Sequence, residues 1–275
     1  MGLKFRKHIW KMSRWLNRNR RVDRHPDLWH KSISNSDLQV RRIASTVDVD
    51  VLSGGGGYHW YGNDWWTNLS CPHAFQYLSL DSLYPANYFR SKADGGAHPA
   101  QSMAADLYEY MQSTYKAVFG MPFESILELG VGAGEITRQF REHGLDYCAV
   151  EGTSEGAAKL RQDGVPADRI VVADLKFLDP LPRKWDLVMC TEVAEHIEPW
   201  FASKVVDDCV RHADAVWFSA ADRRIRPHYH HMNEISIEAW DNLFACMGFP
   251  VFVELDGRHE RADRLYLSSE LERLF

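Results

Sequence analysis

The chain lacks the long apolar run that a membrane span requires, and it is poor in cysteine. No segment of its 275 residues approaches the roughly 18 consecutive apolar residues of a spanning helix, and the first residues lack the apolar core of a secretory signal. The five cysteines are odd in number and widely spaced, which is typical of reduced thiols and not of a disulfide framework. We therefore expect a cytoplasmic protein.

Positive charge is concentrated at the start of the chain. Residues 1–24 hold nine basic residues and one aspartate, whereas the whole chain has a net charge of −6. Apolar residues recur at helical spacing between these cations, a pattern that is typical of a basic amphipathic helix. Such an arm can contact an anionic membrane surface, RNA, its own domain or a partner subunit, including a second copy of the chain. The acidic remainder argues against a nucleic-acid groove.

Residues 25–100 are interpreted as an N-terminal extension, with the main domain at 101–275. The four glycines at 54–57 predict a hinge or a turn. The stretch that follows is aromatic, and Trp60, Trp65 and Trp66 offer faces on which a sugar or an aromatic ring can stack. The alternative is that these rings only attach the extension to the domain.

The stretch 125–140 organises the domain, because it predicts a strand, a tight turn and a helix. Apolar residues 126–129 run into Gly130, Gly132 and Gly134, and helical spacing follows. Glycines permit a sharp turn and the close approach of a ligand, and the start of a helix offers free N–H groups. The dinucleotide fingerprint GxGxxG fits poorly, since Glu135 stands where it requires a glycine. Glu128, before the first glycine, favours a cationic ammonium group over a pyrophosphate.

The segment Glu-Leu-Gly-Val-Gly-Ala-Gly, residues 128–134, resembles the first motif of the class I S-adenosylmethionine-dependent methyltransferases. In that family the acidic residue and the glycine turn hold the methionine end of the cofactor. Later segments continue the resemblance in the expected order, over residues 100 to 270 or so. The position of the extension before this domain is one at which family members often carry a substrate lid.

The second and third strands supply further candidates for cofactor binding. Glu151 ends an apolar run and precedes Gly152, so that its carboxylate can accept both ribose hydroxyls; the alternative is an acid that complements a helix dipole. The resemblance implies that Asp174 bonds the adenine amino group and that the N–H of Leu175 reaches a ring nitrogen. An aspartate at this position is also a common turn residue.

The fourth strand is followed by Thr191-Glu-Val-Ala-Glu-His-Ile, which is similar to the fourth motif of the small-molecule members of this family. Ligands of open α/β sheets bind beyond the carboxyl ends of the strands, so we expect Thr191 and Glu192 at the cofactor and His196 near the methyl group. Glu192, Glu195 and His196 lie close in sequence, but the zinc patterns HExxH and HxxEH need two histidines. We predict no metal site.

The loop after the fifth strand contains His228, His230 and His231. The segment from His231 to a helix with Trp240 resembles an acceptor-site segment of some family members. A neutral imidazole can take a proton from a hydroxyl at pH 7, so His196 and His231 are the candidate bases. Loop ordering is the alternative for each, and a metal cluster lacks an evident carboxylate or thiolate partner.

The sequence thus predicts an α/β fold, a Rossmann-like seven-stranded sheet with order 3-2-1-4-5-7-6, an antiparallel last strand, helices on both faces and an N-terminal extension. The resemblance implies an enzyme that uses S-adenosyl-L-methionine to methylate a small molecule. Oxygen is favoured as acceptor, because the NPPY tetrapeptide of amino-directed nucleic-acid enzymes is absent. The alternatives are a nicotinamide-dependent oxidoreductase, which Glu135 disfavours, and a cofactor-binding subunit without activity.

Overall fold

The computed structural model describes residues 39–42, 80–84, 88–89, 101–221, 231, 233–255 and 263–274. The basic arm, the aromatic stretch with its tryptophans, and the residues His228 and His230 lie outside these ranges. Within the described part of the chain, no helix is both long and apolar enough to cross a membrane.

The described strands form a single mixed sheet. In chain order they are β1 (Gln39–Arg42), β2 (Ser125–Leu129), β3 (Asp146–Glu151), β4 (Ile170–Val172), β5 (Leu187–Thr191), β6 (Ala215–Ser219), β7 (Val251–Glu254) and β8 (Arg264–Leu267). Across the sheet the order is β1-β7-β8-β6-β5-β2-β3-β4.

The seven strands from β2 to β8 confirm the predicted topology. Counted from β2, their order is 3-2-1-4-5-7-6, and the last strand, β8, pairs antiparallel with both β6 and β7. The strands from β2 to β6 pair in parallel. Their carboxyl ends therefore lie at one edge of the sheet, where ligands of such sheets bind.

Strand β1 extends the sheet beyond the prediction. It pairs antiparallel with β7, with Gln39 opposite Glu254 and Arg42 opposite Val251. The four residues of β1 are largely polar and carry no strong alternation of their own, so that their pairing depends on the exposed edge of β7 and not on a local pattern. The extension thus contributes backbone to the domain's sheet.

Helices cover both faces of the sheet, as predicted. They are α1 (Leu80–Leu83), α2 (Gln101–Phe119), α3 (Glu135–Glu142), α4 (Ser154–Gln162), α5 (Ala202–His212) and α6 (Ile237–Cys246). One apolar cluster contains Ile126 with residues of α2, α3 and α4. The other contains Leu127 with residues of α5 and α6. Successive residues of β2 thus point to opposite faces, and each face buries its own core.

The described cysteines are Cys148, Cys190, Cys209 and Cys246, and all four are free thiols. Cys190 and Cys209 are buried in the core, while Cys246 is exposed.

Candidate functional site

The glycine turn after β2 has the backbone that only glycine adopts readily. Gly130, Gly132 and Gly134 have φ values of 77°, 59° and 79°, which lie in the left-handed region where a Cβ is strained. Gly134 is the N-cap of α3, and the N–H of Gly130 donates to the carbonyl of Val150 on β3 over 2.9 Å. The sequence therefore needs glycine at these positions for the turn itself.

The turn is also tightly packed against its neighbours. A Cβ on Gly130 would lie 2.5 Å from Cγ2 of Val193, and one on Gly134 would lie 2.6 Å from Cδ2 of Leu160. Val193 belongs to the loop after β5. The glycine turn and the loop that carries His196 are consequently adjacent at the carboxyl edge of the sheet.

Glu128 lies beneath the turn and is almost fully buried. Its Oε2 accepts a hydrogen bond of 2.6 Å from Oγ1 of Thr137 on α3. Burial raises the pKa of Glu128 to about 8, and the nearby charge of Glu151 acts in the same direction. The predicted contact of Glu128 with the cofactor's ammonium group stays a prediction.

Glu151 joins the end of β3 to the glycine turn. Its Oε1 accepts from the N–H and the Oγ1 of Thr153, over 3.0 and 2.7 Å, and its Oε2 accepts from the N–H of Val131 over 3.3 Å. The carboxyl group is 5% exposed, and burial raises its pKa despite these bonds. Thr153 is the N-cap of α4, so both interpretations of Glu151, ribose acceptor and helix-terminal acid, fit its position.

The short helix α1 of the extension packs beside this site. A Cβ on Gly152 would lie 2.7 Å from Cδ1 of Leu80. The carboxylate of Asp81 accepts from the N–H and the hydroxyl of Ser154, over 2.7 and 2.9 Å. The extension therefore contacts the residues that follow Glu151.

Asp174 caps its own turn. Its Oδ1 accepts from the N–H of Lys176 over 2.9 Å, at the start of the 3₁₀ turn Leu175–Phe177. The ammonium of Lys176 lies 3.5 Å from Oδ2 of Asp174 and 3.3 Å from Oε1 of Glu198. The described contacts of Asp174 are those of a turn residue. The predicted hydrogen bonds of Asp174 and of the Leu175 N–H to adenine stay predictions.

Thr191 ends β5, and Glu192 follows it in a strained conformation. Among the described residues other than glycine, Glu192 has the positive φ, 56°, and such angles often occur at functional sites. Its N–H donates to the carbonyl of Ser219 over 3.0 Å, and its Oε1 accepts from the Ser219 hydroxyl over 2.9 Å. These bonds fix the direction of the loop between Glu192 and His196.

The two candidate bases lie together. His196 ends the 3₁₀ turn Ala194–His196, and its ring centroid is 4.8 Å from that of His231, with the planes at 83°. The N–H of Asn233 donates to the carbonyl of Glu195 over 2.9 Å, which joins the two loops. Tyr84 of the extension approaches His196 edge-on, with centroids 6.0 Å apart.

Two buried carboxyl groups lie beside this pair, and neither is among the residues that the sequence predicts for the site. Glu195 and Glu234 are both 0% exposed. Oε1 of Glu234 lies 2.5 Å from Nδ1 of His231. The sequence showed Glu195 beside His196, but nothing in it indicated that Glu234 would hold the ring of His231.

The chain matches a family model in the region of this site. Residues 103–205 match the family described as "Methyltransferase domain". These residues include most of α2, the glycine turn, Glu151, Asp174 and the loop with His196. No curated protein matches the sequence of the chain.

Solved structures with a similar arrangement include three proteins of low sequence identity. A sugar N-methyltransferase, KedS8 from Streptoalloteichus sp. ATCC 53650, is 16% identical with a TM-score of 0.48, over 58% of this chain and 86% of that one. A protein of Pyrococcus horikoshii OT3 is 13% identical with a TM-score of 0.47, over 60% and 91%. Human N-acetylserotonin methyltransferase, solved with S-adenosylmethionine, is 13% identical with a TM-score of 0.47, over 79% and 65%.

Proposed function

We propose that the chain is a class I S-adenosylmethionine-dependent methyltransferase that methylates an oxygen atom of a small molecule, such as a sugar or a natural product; the match of residues 103–205 to a methyltransferase domain and the strand order support this. The observation that supports an oxygen acceptor most directly is the pair of imidazoles, His196 and His231, 4.8 Å apart beside the glycine turn. A hydroxyl must lose its proton when it is methylated, and imidazole is the side chain best suited to this near pH 7.

The residues around the glycine turn fit the proposed cofactor. The turn has no side chains at three alternate positions, so that a ligand can approach its backbone. Glu151 offers a buried carboxylate for ribose hydroxyls at the end of β3, and the resemblance assigns the methionine end to Glu128 and the turn. Asp174 and Leu175 are proposed to bind the adenine, and Thr191 and Glu192, at the end of β5 beside β2, are proposed to face the cofactor. When bound, S-adenosylmethionine supplies a methyl group on a positively charged sulfur.

The contact between His231 and Glu234 assigns the protons of that ring. A carboxylate can only accept, so the bond at Nδ1 places the proton of the neutral ring on Nδ1 and the lone pair on Nε2. In this tautomer Nε2 can take the proton of an acceptor hydroxyl. His196 lies edge-on to the ring and restricts its orientation, which contributes to the alignment that methyl transfer requires.

The contacts of α1 support a covering role for the extension. Leu80 and Asp81 pack at Gly152 and Ser154, and Tyr84 approaches His196. We therefore propose that residues 25–100 cover the acceptor, as the lid interpretation requires. The basic arm is proposed as a contact for a membrane surface or a subunit, and we propose a cytoplasmic location, which the wide spacing and odd number of the cysteines support.

The proposal is tested by locating the transferred methyl group. The purified chain is incubated with methyl-labelled S-adenosylmethionine and matched acceptors that offer a sugar hydroxyl, a phenol or an amine. We expect the label on oxygen, identified by nuclear magnetic resonance of the product. Label on nitrogen alone would overturn the oxygen assignment, and label on none of the acceptors would count against a small-molecule acceptor of these classes.

A further inference from the structure

We propose that Glu195, His196 and His231 bind a divalent metal ion of the first transition series. Each residue offers one ligand atom, and these atoms all lie within 4.8 Å of one another. Ligands held about 2.1 Å from a common ion are about 3.0 to 3.5 Å apart, so the three ligand atoms lie somewhat farther apart than they would around a bound ion.

The donor set determines the class of ion. Two imidazoles and one carboxylate form a three-ligand set that leaves further positions open, as in catalytic metal sites. Imidazole nitrogen favours zinc, copper, iron or nickel, whereas magnesium, calcium and manganese prefer sites made of oxygen. We therefore expect a transition-series ion here.

The surroundings of His231 are those of a metal ligand. Glu234, which is fully buried, lies 2.5 Å from Nδ1 of His231, so that Nε2 carries the lone pair. A carboxylate on the far nitrogen is the usual partner of a histidine that binds metal, because it fixes the tautomer and the direction of the ring. The bond from Asn233 to the carbonyl of Glu195 holds the third ligand in the same assembly.

Burial strengthens any interaction between these side chains and a cation. Glu195 is 0% exposed, and the same small volume contains the buried Glu234 and two imidazoles. A carboxylate that is shielded from water attracts a cation more strongly than an exposed carboxylate does.

The sequence alone does not indicate this site, because neither the segment with Glu195 and His196 nor the segment with His231 contains a complete metal motif. Glu195 and His196 follow β5, and the zinc patterns considered there require a second histidine. That histidine is His231, which the fold brings from the loop after β6, the neighbouring parallel strand. The set is therefore formed by sheet topology and not by local spacing.

Metal binding itself is independent of the proposed function, but its role rests on that function. An ion with open positions would bind the acceptor oxygen and lower the pKa of its hydroxyl. The O–H bond then breaks with the proton passing to solvent, and the oxygen that stays on the metal takes the methyl group from the sulfonium. With the ion bound, both imidazoles are ligands, and the ion replaces them in activating the hydroxyl. An acceptor with two adjacent oxygens would bind best, because it can occupy two open positions.

The test measures binding to the full chain after treatment with a chelator. Zinc binding is followed by calorimetry, and cobalt binding by the visible absorption that reports nitrogen ligands. We expect one ion per chain, with affinity reduced at least about tenfold in Glu195→Gln, His196→Gln and His231→Gln, and also in Glu234→Gln, which alters the partner of the His231 ring. Glu155→Gln and His143→Gln alter exposed residues away from the cluster and should bind as the parent does.

Three results would overturn the proposal. They are an absence of zinc and cobalt binding, unchanged metal binding in the ligand variants, and a preference for magnesium or calcium. Circular dichroism and cooperative thermal unfolding show that each variant is folded, and binding of S-adenosylhomocysteine to the same samples tests the proposed function separately. If metal binds but S-adenosylhomocysteine does not, the metal site stands and the proposed function fails; the reverse result removes only the metal.

Discussion

His196 and His231 meet edge-on, with ring centroids 4.8 Å apart, although they belong to loops that follow different strands. The two strands, β5 and β6, are parallel neighbours, so their carboxyl ends place both loops at the same edge of the sheet. The glycine turn reaches the same edge and contacts Val193 of the first loop. The candidate site is thus a consequence of the strand order.

Replacement of either histidine is expected to affect turnover and not cofactor binding. We predict that His231→Gln lowers the rate of methyl transfer by about 10²-fold or more, because it removes the group that activates the acceptor, whether as base or as ligand. Affinity for S-adenosylhomocysteine should stay within about twofold, since the contacts of Glu151 are intact. The control is His143→Gln, which should leave the rate of methyl transfer unchanged. The ring of His143 is partly exposed and stacks on Tyr108. Full activity of both His231→Gln and His196→Gln would contradict the proposed role.

Gly130→Ala should destabilise the domain by more than the cost of a left-handed alanine. The φ of Gly130 is 77°, and the new Cβ would lie 2.5 Å from Val193. Gly120→Ala is the matched control, because its φ is 82° and nothing lies within 4 Å of the added Cβ. We expect a loss of about 1 to 2 kcal/mol for Gly120→Ala and a larger loss for Gly130→Ala, measured by denaturant unfolding.

The double variant Gly130→Ala with Val193→Ala separates strain from the clash. Removal of the Val193 methyl groups should restore part of the stability that Gly130→Ala loses. Equal losses in Gly130→Ala and Gly120→Ala would show that the turn is not packed against the loop after β5.

Glu128 should make stability depend on pH. Its pKa is raised from 4.5 to about 8 in the folded chain by burial. Between these values the folded state keeps a proton that the unfolded state has lost, so the free energy of unfolding falls as pH rises. Glu128→Gln cannot titrate, and it should gain stability relative to the parent by about 1.4 kcal/mol for each pH unit in this window.

The test measures the free energy of unfolding of the parent and of Glu128→Gln at several pH values between about 5 and 8. Glu124→Gln, at an exposed position, is the control and should show no such trend. A difference between Glu128→Gln and the parent that is independent of pH would mean that Glu128 is ionised in the folded chain throughout the window.

Much of the fold was predictable because it depends on local patterns. Apolar runs of strand length, the three glycines and the helical spacing after Glu135 determine the order of elements, and the family resemblance supplied the sheet order. Strand β1 was missed, since its four largely polar residues become a strand by pairing with β7. A pairing between segments so distant in sequence has no local signal.

The candidate site was predictable residue by residue, but not as an assembly. Glu151 and the glycines lie where their position after a strand implied. The sequence could not show that His231 would meet His196, or that Glu234 would hold Nδ1 of His231, because such contacts depend on how two loops converge. For Asp174 the sequence left two roles open, a cofactor contact and a turn residue. Its hydrogen bond from the N–H of Lys176 is that of an ordinary turn residue, so its position alone does not decide between the two roles.

The most direct measurement is calorimetry of S-adenosylhomocysteine and of NADH with the purified chain and with Glu151→Gln, using Glu155→Gln as the matched control. Glu151 is buried at the end of β3 and bonds the glycine turn, so its carboxylate should contribute strongly to binding of the ribose. We predict binding of S-adenosylhomocysteine and not of NADH, with affinity at least about tenfold lower in Glu151→Gln alone, as for loss of a hydrogen bond to a charged group. Binding of NADH instead, or undiminished affinity of Glu151→Gln for S-adenosylhomocysteine, would contradict the assignment of this site to the methyl donor.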